Sequence, residues 1–225
     1  MMSLIRSRNR PSFDPTCVLY LPFYKRDFSS EAILMSCDAY GHLCTNNGSL
    51  WTPHGLSFDG IDDFVNLGQP AALNFSGPFA LSIWVKPLLG ADMSVVSRDG
   101  DSGDRGWYLS ILADGKVRTM LSSNGSVFTY IDSPVALNDD VWAYLATVYD
   151  GQSLKLFVNG RLAKSAAIPP GVYNSSQNVN LGRKPTGDFY FRGLLGLARF
   201  HVRILSNLEM QKLYLNSNHS YWIKA

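Results

Sequence analysis

Alternating apolar and polar positions along the chain predict a series of short β-strands. In residues 79–86, Leu81, Ile83 and Val85 share one face of an extended segment, as in a strand that packs one side on a core. Further segments of this kind lie at 18–21, 107–112, 116–121, 142–149 and 152–158. Strands that recur at such intervals are typical of an antiparallel β-sandwich, so we expect an all-β fold.

Three dipeptides that end in glycine mark tight turns between these segments. They are Asp114-Gly115, Asp150-Gly151 and Asn159-Gly160. Such pairs tolerate a positive φ at both positions, which two-residue hairpin turns require. The sequence therefore predicts a meander of adjacent antiparallel strands.

One segment near the C-terminus carries a helix signal. Ser206 and Glu209 form a capping-box pattern, in which the serine side chain accepts a hydrogen bond from the third helical N–H and the glutamate reaches back. We expect a short helix near residues 207–216.

The first residues of the chain are basic. Residues 1–15 carry Arg6, Arg8 and Arg10, and we expect them to form a flexible arm. The arm is either a frayed terminus or a tether for assembly, into a neighbouring subunit or onto an anionic surface.

A second stretch without clear periodicity covers residues 24–53, which are rich in turn-forming side chains. A loop of this length is unusual inside a compact domain, so we expect it to wrap the sandwich or to make contacts. Because no internal repeat or second domain is evident, residues 16–225 are expected to form a single domain.

The composition narrows the class of protein. Of 225 residues, 46% are hydrophobic and 17% are charged, which fits a globular chain. The net charge of +2 is too small to indicate a nucleic acid partner. There is no apolar run long enough to predict a membrane span. The polar, basic start does not resemble a signal peptide, so we expect synthesis in the cytoplasm.

The chain has three cysteines, Cys17, Cys37 and Cys44. An odd number without regular spacing does not form a disulfide framework. Cys37 and Cys44 are near enough in sequence to pair across a short loop. The alternative is that all three are free thiols, as in a protein made in a reducing compartment.

Four motifs, in order, resemble the laminin-G-like family of concanavalin-A-like jelly rolls. Residues 56–65 (LSFDGIDDFV) are similar to the family pattern S-F-D-G-x-D-D-Y-V, and residues 79–87 to F-T-I-S-A-W-V-K-P. Residues 142–160 are similar to W-H-H-V-A-x-V-Y-D-G-x-x-L-K-L-Y-V-D-G, and residues 193–209 to G-x-I-D-E-V-R-I-Y-N-R-A-L-S-x-x-E. The resemblance implies a jelly-roll sandwich of two antiparallel sheets. It does not imply one function, because this fold carries lectins, enzymes, adhesion modules and structural subunits.

The residues do not favour catalysis. Jelly-roll glucanases place two carboxylates across a sugar bond, and their signature is E-x-D-x-E on one strand. The chain has no such pattern, and its two glutamates, Glu31 and Glu209, fall in the early loop and the helix cap. Its histidines are scattered and suggest no zinc site. We therefore expect a protein that is not an enzyme.

The resemblance implies one possible calcium site. Many family members bind Ca²⁺ through a turn that corresponds here to Asp59, Asp62 and Asp63, together with an acid that aligns with Gly196. Because Gly196 and Leu197 supply no carboxylate, the site is weakened or lost. Alternatively, Asp59 is a turn residue that accepts hydrogen bonds from nearby backbone N–H groups.

A second candidate metal site is the loop with Asp99, Asp101 and Asp104, near the place where the related pentraxins hold calcium. Acids at such spacing are able to converge on one ion. However, Arg98 and Arg105 lower the negative field of this loop, which favours a solvated hairpin. We expect no cofactor, with calcium as the one possibility.

Aromatic side chains in and beside loops indicate a possible glycan-binding surface, since lectins of this class offer aromatic platforms at one rim. The candidates are Trp107, Tyr108, Tyr130, Tyr173, Phe189 and Tyr190. The alternative is that these side chains pack within strands or at a subunit interface.

These patterns favour a structural or adhesion protein that forms oligomers with itself or with other subunits of a particle. A virion decoration, tail or spike subunit that contacts host glycans fits this description, on a particle that is extracellular after cytoplasmic synthesis. The alternative is a soluble carbohydrate-binding lectin module, with or without calcium.

Overall fold

The computed structural model describes residues 14–23 and 32–222. Helix α1 (Asn207–Trp222) and one short 3-10 turn (Ala71–Leu73) accompany the strands in this part of the chain. The strands are β1 (Cys17–Leu21), β2 (Ile33–Met35), β3 (Leu43–Asn47), β4 (Leu50–Thr52), β5 (Gly55–Asp59), β6 (Phe64–Asn66), β7 (Phe79–Pro87), β8 (Met93–Arg98), β9 (Trp107–Ile111), β10 (Val117–Ser122), β11 (Phe128–Asp132), β12 (Ala143–Tyr149), β13 (Ser153–Val158), β14 (Arg161–Ala167), β15 (Asn180–Leu181) and β16 (Arg192–His201).

The strands form two antiparallel sheets. The first sheet has the order β14-β13-β12-β7-β16-β5-β4, with β1 also paired to β16. The second sheet has the order β11-β10-β9-β8-β15-β6-β3-β2. Their inner faces share one apolar core, so the predicted jelly-roll sandwich is confirmed.

Strand β7 shows how the alternating pattern positions the core. Leu81, Ile83 and Val85 belong to the cluster between the sheets, as the sequence predicts. Ala80 and Trp84, on the opposite face of the same strand, belong to a second apolar cluster on the outside of the first sheet. Both faces of β7 are therefore buried.

The predicted meander is confirmed at all three dipeptides, since β9–β10, β12–β13 and β13–β14 are antiparallel pairs, but the expected φ values occur at one of them. Asn159 and Gly160 have φ values of 50° and 74°, as a two-residue hairpin requires. In the other two dipeptides only the glycine has a positive φ, 81° at Gly115 and 98° at Gly151. At Gly115 the loop has three residues, and an ordinary turn is followed by the left-handed glycine. At Gly151 the loop has two residues, and a turn with glycine at its first position needs a positive φ only there.

The prediction of a long loop over residues 24–53 is wrong for its described part. Residues 33–52 contain β2, β3 and β4, which extend both sheets. Strands of three to five residues are too short to show periodicity, although Leu34 and Cys44 do point into the core. The arginines of the predicted arm, Arg6, Arg8 and Arg10, lie outside the described residues.

The cysteines do not pair. Cys17, Cys37 and Cys44 form no disulfide. Burial raises the pKa of Cys17 to about 11 and that of Cys44 to about 12, so these two remain protonated and unreactive at neutral pH.

Helix α1 begins as predicted and ends later than predicted. The Ser206 backbone N–H donates to Glu209 Oε2 at 2.8 Å, and the Glu209 N–H donates to Ser206 Oγ at 3.2 Å. These are the two bonds of a capping box. The helix continues to Trp222 because no glycine or proline follows Asn216 to stop it.

The helix covers the outer face of the first sheet. Met210 lies in the apolar cluster with Trp84 and Tyr144, and Leu213 and Tyr214 pack against them. Trp84 Nε1 donates to Ser217 Oγ at 2.9 Å. Within the described residues, no helix is long and apolar enough to span a membrane.

Candidate functional site

A cavity of about 320 Å³ opens on the outer face of the second sheet, over β8, β9 and β10. We name it the Ser97 cavity. Its volume is at the lower end of the range for small-molecule sites, roughly 300–1,000 Å³. It is lined by Asp92, Met93, Ser94, Ser97, Asp99, Arg105, Tyr108, Ser110, Leu112, Arg118, Lys184 and Phe189.

Strand β9 supplies the floor of the cavity. Successive side chains of a strand point to opposite faces. Trp107 and Leu109 therefore enter the core, whereas Tyr108 and Ser110 line the cavity. Burial raises the pKa of Tyr108, so its phenol is neutral and able both to donate and to accept a hydrogen bond.

Strand β8 reaches the cavity through a β-bulge. Ser94 pairs with Ser110 and Ser97 pairs with Tyr108, with a register shift between Ser94 and Val96. The extra residue resets the alternation, so two serines that are three positions apart both face the cavity.

The two serine hydroxyls have no partner. Ser94 is 2% exposed and Ser97 is 0% exposed, yet neither Oγ forms a hydrogen bond. A buried polar group without a partner costs about 1–3 kcal/mol. Because both side chains border the cavity, a ligand placed there would provide the missing partners.

A charge cluster around the buried Asp99 forms part of the cavity lining. Arg105 Nη1 lies 2.9 Å from Asp99 Oδ2, and Lys184 Nζ lies 3.8 Å from the same oxygen. Asp99 is fully buried, and its Oδ1 accepts the Gly106 N–H at 3.1 Å. Burial raises the pKa of Asp99, against the lowering effect of Gly106 and of the two cations.

The loop between β15 and β16 forms one wall. Its turn is closed by a hydrogen bond from the Lys184 N–H to the Asp188 carbonyl at 3.0 Å. The Phe189 carbonyl accepts the Ser94 N–H at 2.7 Å, which holds the loop against β8. Phe189 has a φ of 53° and is 46% exposed, so it presents an aromatic ring at the rim.

Arg118 from β10 also lines the cavity, and its charge is paired with that of Asp132. Its Nε and Nη2 donate to the two carboxylate oxygens of Asp132 at 2.7 and 2.8 Å. The guanidinium also lies 4.3 Å from the centre of the Tyr130 ring. This bidentate pair positions a planar side chain at the cavity wall.

The structure brings two of the six predicted aromatic residues into the cavity, Tyr108 and Phe189. Trp107 is 1% exposed and packs against Phe75, Phe79 and Phe200 in the core, so it is not available to a ligand. Its prediction as a ligand-binding residue is therefore corrected.

The other three aromatic candidates lie elsewhere. Tyr130 is exposed beneath Arg118 but does not line the cavity. Tyr173 packs its ring against Gly125. Tyr190 borders a separate cavity of about 520 Å³ beside Asp59.

The acidic loop does not gather its carboxylates around one point. Asp99 faces Arg105 and Lys184, as described above. Asp104 points the other way and accepts hydrogen bonds from Ser176 N at 2.8 Å and from Ser175 Oγ at 3.0 Å. The side chain of Asp101 is 80% exposed. The positions of all three carboxylates are therefore accounted for by these contacts and by exposure to water, and no metal ion is needed to explain them.

Most of the described chain matches one known protein family. Residues 59–211 match Laminin_G_3, a family of the concanavalin A-like lectin/glucanases superfamily. The chain belongs to this family. A laminin-G-like domain was expected from the four sequence motifs, and that expectation is confirmed.

Several known proteins share parts of this laminin-G-like domain. It is 24% identical over 149 residues to the adhesion G-protein coupled receptor V1 of Danio rerio, covering 60% of this chain and 2% of the receptor. The binding domain of Paraclostridial Mosquitocidal Protein 1 has a TM-score of 0.69 at 14% identity, covering 88% of this chain and 52% of that structure. A structure of botulinum neurotoxin type C, reported to enter cells through two ganglioside molecules, has a TM-score of 0.69 at 13% identity, covering 89% and 51%. The chain thus spans about half the length of these structures, and at such identity they show a shared fold.

The turn after β5 holds the three acids that the sequence analysis named as calcium candidates. Carboxylate oxygens of Asp59, Asp62 and Asp63 lie within 4.8 Å of one another. Asp59 Oδ1 accepts the Ile61 N–H at 2.8 Å, and Asp63 Oδ2 accepts the Asp59 N–H at 2.9 Å. The Ile61 hydrogen bond lowers the pKa of Asp59, whereas burial raises that of Asp63.

The surroundings of this turn do not fit a calcium site well. The register of β16 on β5 places Arg192 opposite Asp59, and Gly196 lies four positions further along the strand. The Arg192 side chain also packs over Gly60. Ca²⁺ takes six to eight oxygen ligands, and a cation beside the turn opposes it. The hydrogen bonds of Asp59 match the alternative, a turn residue, and we derive no function through calcium.

Sequence reasoning missed three residues that characterise the Ser97 cavity. Ser94, Ser97 and Lys184 carry no motif, because serine and lysine are common on surfaces. Their burial depends on the bulge in β8 and on a loop that joins it from a distant part of the chain. One signal was available: neighbours in a strand face opposite ways, so Trp107 and Tyr108 could not both reach one ligand.

Proposed function

We propose that this chain is a non-enzymatic adhesion domain that binds a glycan in the Ser97 cavity. The observation that carries the proposal is the pair of buried hydroxyls, on Ser94 and Ser97, that face the cavity without a partner. Sugars carry many hydroxyl groups, each able to donate and accept, and are suited to satisfy such a pair.

The remaining lining supports the same ligand class. Tyr108 and Phe189 provide apolar surface for the C–H face of a sugar ring, and Asp99 and Arg105 fix hydrogen-bonding groups around it. Sites of this kind combine apolar walls with a few placed polar groups. Related structures add support, since a neurotoxin with this fold is reported to depend on gangliosides, which are glycolipids.

Catalysis is not part of the proposal. In the described residues the one glutamate, Glu209, is bound in the helix cap. Asp99, the buried acid of the cavity, is held by two cations and one N–H. An acid whose oxygens are occupied in this way is suited to hold groups in place.

The proposal is tested on a glycan array with the full chain and the variants Ser94→Ala and Ser97→Ala. Each variant removes an unsatisfied hydroxyl, so its free energy of unfolding is expected to stay equal or to rise. Its glycan signal is expected to fall about fivefold or more, since each lost hydrogen bond to the ligand weakens binding by about 1 kcal/mol or more.

Ser82→Ala is the matched control. Ser82 is 1% exposed and is likewise a buried serine, but it lies in β7 of the first sheet beside Tyr144. It should leave the glycan signal unchanged. If no glycan binds the unaltered chain, or if Ser97→Ala binds as well as Ser82→Ala does, the proposal is wrong.

A second candidate function, assembly on a particle, is favoured by one separate surface. Ile33, Met35 and Leu43 are 50%, 53% and 66% exposed and share the outer face of β2 and β3, where Met35 pairs with Leu43. Exposed apolar side chains grouped in this way are typical of protein contacts. A second copy of this chain is the simplest occupant. On a particle such as a virion, this face would assemble while the cavity contacts glycans.

The assembly candidate is tested by light scattering of Leu43→Asp. The charge is expected to dissociate an oligomer that uses this face. Leu50→Asp is the control, because Leu50 is 68% exposed but lies in β4 of the first sheet. A monomeric unaltered chain, or equal effects of both substitutions, would rule out this interface.

A further inference from the structure

The charges around Asp99 in the lining of the Ser97 cavity are unequal. Arg105 and Lys184 both approach Asp99 Oδ2, at 2.9 and 3.8 Å, so two cations share one buried carboxylate. The Lys184 side chain is 13% exposed. A positive charge held away from water in this way is stabilised by a further anion.

The neighbouring acids do not balance this charge. Lys184 Nζ lies 3.5 Å from Asp101 Oδ1, but the Asp101 side chain is 80% exposed and its field is weakened by water. Asp104 is directed to Ser175 and Ser176. Asp92, the second acid of the lining, is exposed and accepts the Ala113 N–H at 2.7 Å.

The other cation of the cavity is already neutralised. Arg118 forms two hydrogen bonds with Asp132, at 2.7 and 2.8 Å. The remaining positive charge therefore belongs to Arg105 and Lys184, which line the same cavity as the two unpartnered serines of β8.

We infer that the Ser97 cavity selects an acidic saccharide, whose carboxylate or sulfate group lies against Lys184 and Arg105 while its hydroxyls reach Ser94 and Ser97. This inference rests on the proposed function and adds to it the class of glycan. Lys184 supplies a charge-assisted hydrogen bond that a neutral sugar does not use.

The test compares each acidic glycan with its neutral parent. Glycans ending in sialic acid, in glucuronic acid and in a sulfate ester are titrated against the full chain beside the same glycans without the acidic group. The acidic form is expected to bind about tenfold tighter or more, since a hydrogen bond to a charged group contributes more than a neutral one. The preference is expected to weaken as salt is raised. Comparing the carboxylate and sulfate series shows which anion the cavity takes.

Three variants test whether Lys184 causes the preference for the acidic glycan. Lys184→Gln removes the charge and should reduce the acidic glycan to the affinity of its neutral parent. Lys184→Arg should retain most of the preference. Lys164→Gln removes the same charge from an exposed position on β14 and should change nothing. Thermal unfolding of each variant checks that the fold is intact.

The outcomes separate this inference from the proposed function. If neutral parents bind as tightly as the acidic forms, or if Lys184→Gln keeps the preference, the acidic class is wrong, while glycan binding that needs Ser97 stands. If no glycan of either kind binds, both are wrong.

Discussion

The outer face of the first sheet lies beneath helix α1, whereas the outer face of the second sheet opens onto the Ser97 cavity. On the covered face, Trp84 and Tyr144 fit into an apolar cluster with Met210 of the helix. On the open face, three serines and Tyr108 occupy outward positions of β8 and β9, and charged groups from the adjoining loops and from β10 surround them. The same strand alternation thus serves packing on one side and a polar site on the other.

The two faces also differ in the surroundings of their buried polar side chains. Trp84 Nε1 on the covered face donates to Ser217 Oγ of the helix. Burial raises the pKa of Tyr144, and the Ser82 hydroxyl beside it has the opposite effect, so these two groups adjoin within closed packing. Ser94 and Ser97 instead adjoin an open cavity. Among the unpartnered buried hydroxyls of the described residues, those of Ser94 and Ser97 belong to side chains that line the cavity.

The largest expected difference between the faces is in stability. Trp84→Ala should lower the free energy of unfolding by about 4 kcal/mol, because it leaves a large space under the helix. Tyr108→Ala, which removes a ring from the cavity wall, should cost about 1 kcal/mol. Urea denaturation measures both. Equal costs would mean that the second sheet depends on its outer face as much as the first.

The covered face should also carry the stronger pH dependence. His201 is 5% exposed on β16, and burial lowers its pKa to about 4, despite Asp14, while Arg203 and Arg199 lower it further. A folded-state pKa below the usual 6.5 means that folding favours neutral histidine. Its contribution is complete above pH 6.5 and is lost as the pH falls through 4, by about 3 kcal/mol.

The variant His201→Phe isolates this effect. Asp14 and Glu209, the acids near His201, have pKa values of about 2, so they remain ionised across this window. Denaturant unfolding from pH 7 to pH 4 should therefore fall less steeply for His201→Phe than for the unaltered chain. Parallel curves would show that His201 is not the titrating group.

A smaller effect is expected at the start of the covering helix. Ser206→Ala removes the capping-box acceptor for the Glu209 N–H and should lower stability by about 1 kcal/mol. Glycan binding should be unchanged, since the cavity lies on the other sheet. A loss of binding would indicate that the two faces are coupled.

The smallest expected effect is that of calcium on the Asp59 turn. Because Arg192 lies opposite Asp59, added Ca²⁺ should shift the melting temperature by less than about 1 °C. EDTA should have no effect on glycan binding. A shift of several degrees that Asp62→Asn abolishes would restore the calcium site that the family resemblance implies.

The sequence predicted the sandwich because strands such as β7 and β12 are long enough to display their period and carry family motifs. It did not predict β2, β3 and β4, which have three to five residues each. The helix start was visible in Ser206 and Glu209, because a cap is formed by neighbours in sequence. The sequence was therefore sufficient to predict those elements that are formed by residues close together in the chain.

The cavity was only partly predictable for the opposite reason. Tyr108 and Phe189 were candidates as exposed aromatics, but nothing near Lys184 in sequence indicates that it meets Asp99. The bulge that turns Ser94 and Ser97 to the same face is likewise a property of paired strands. Trp107 was misassigned because aromatic character alone does not distinguish the two faces of β9.

The most direct test of glycan binding in the Ser97 cavity is a titration of the ¹⁵N-labelled chain with the best glycan from the array, followed by amide chemical shifts. We predict that the largest changes fall on the amides of β8, β9 and residues 184–189, with no change along α1. Changes centred on the Asp59 turn or on the helix-covered face, with β8 unaffected, would contradict the account.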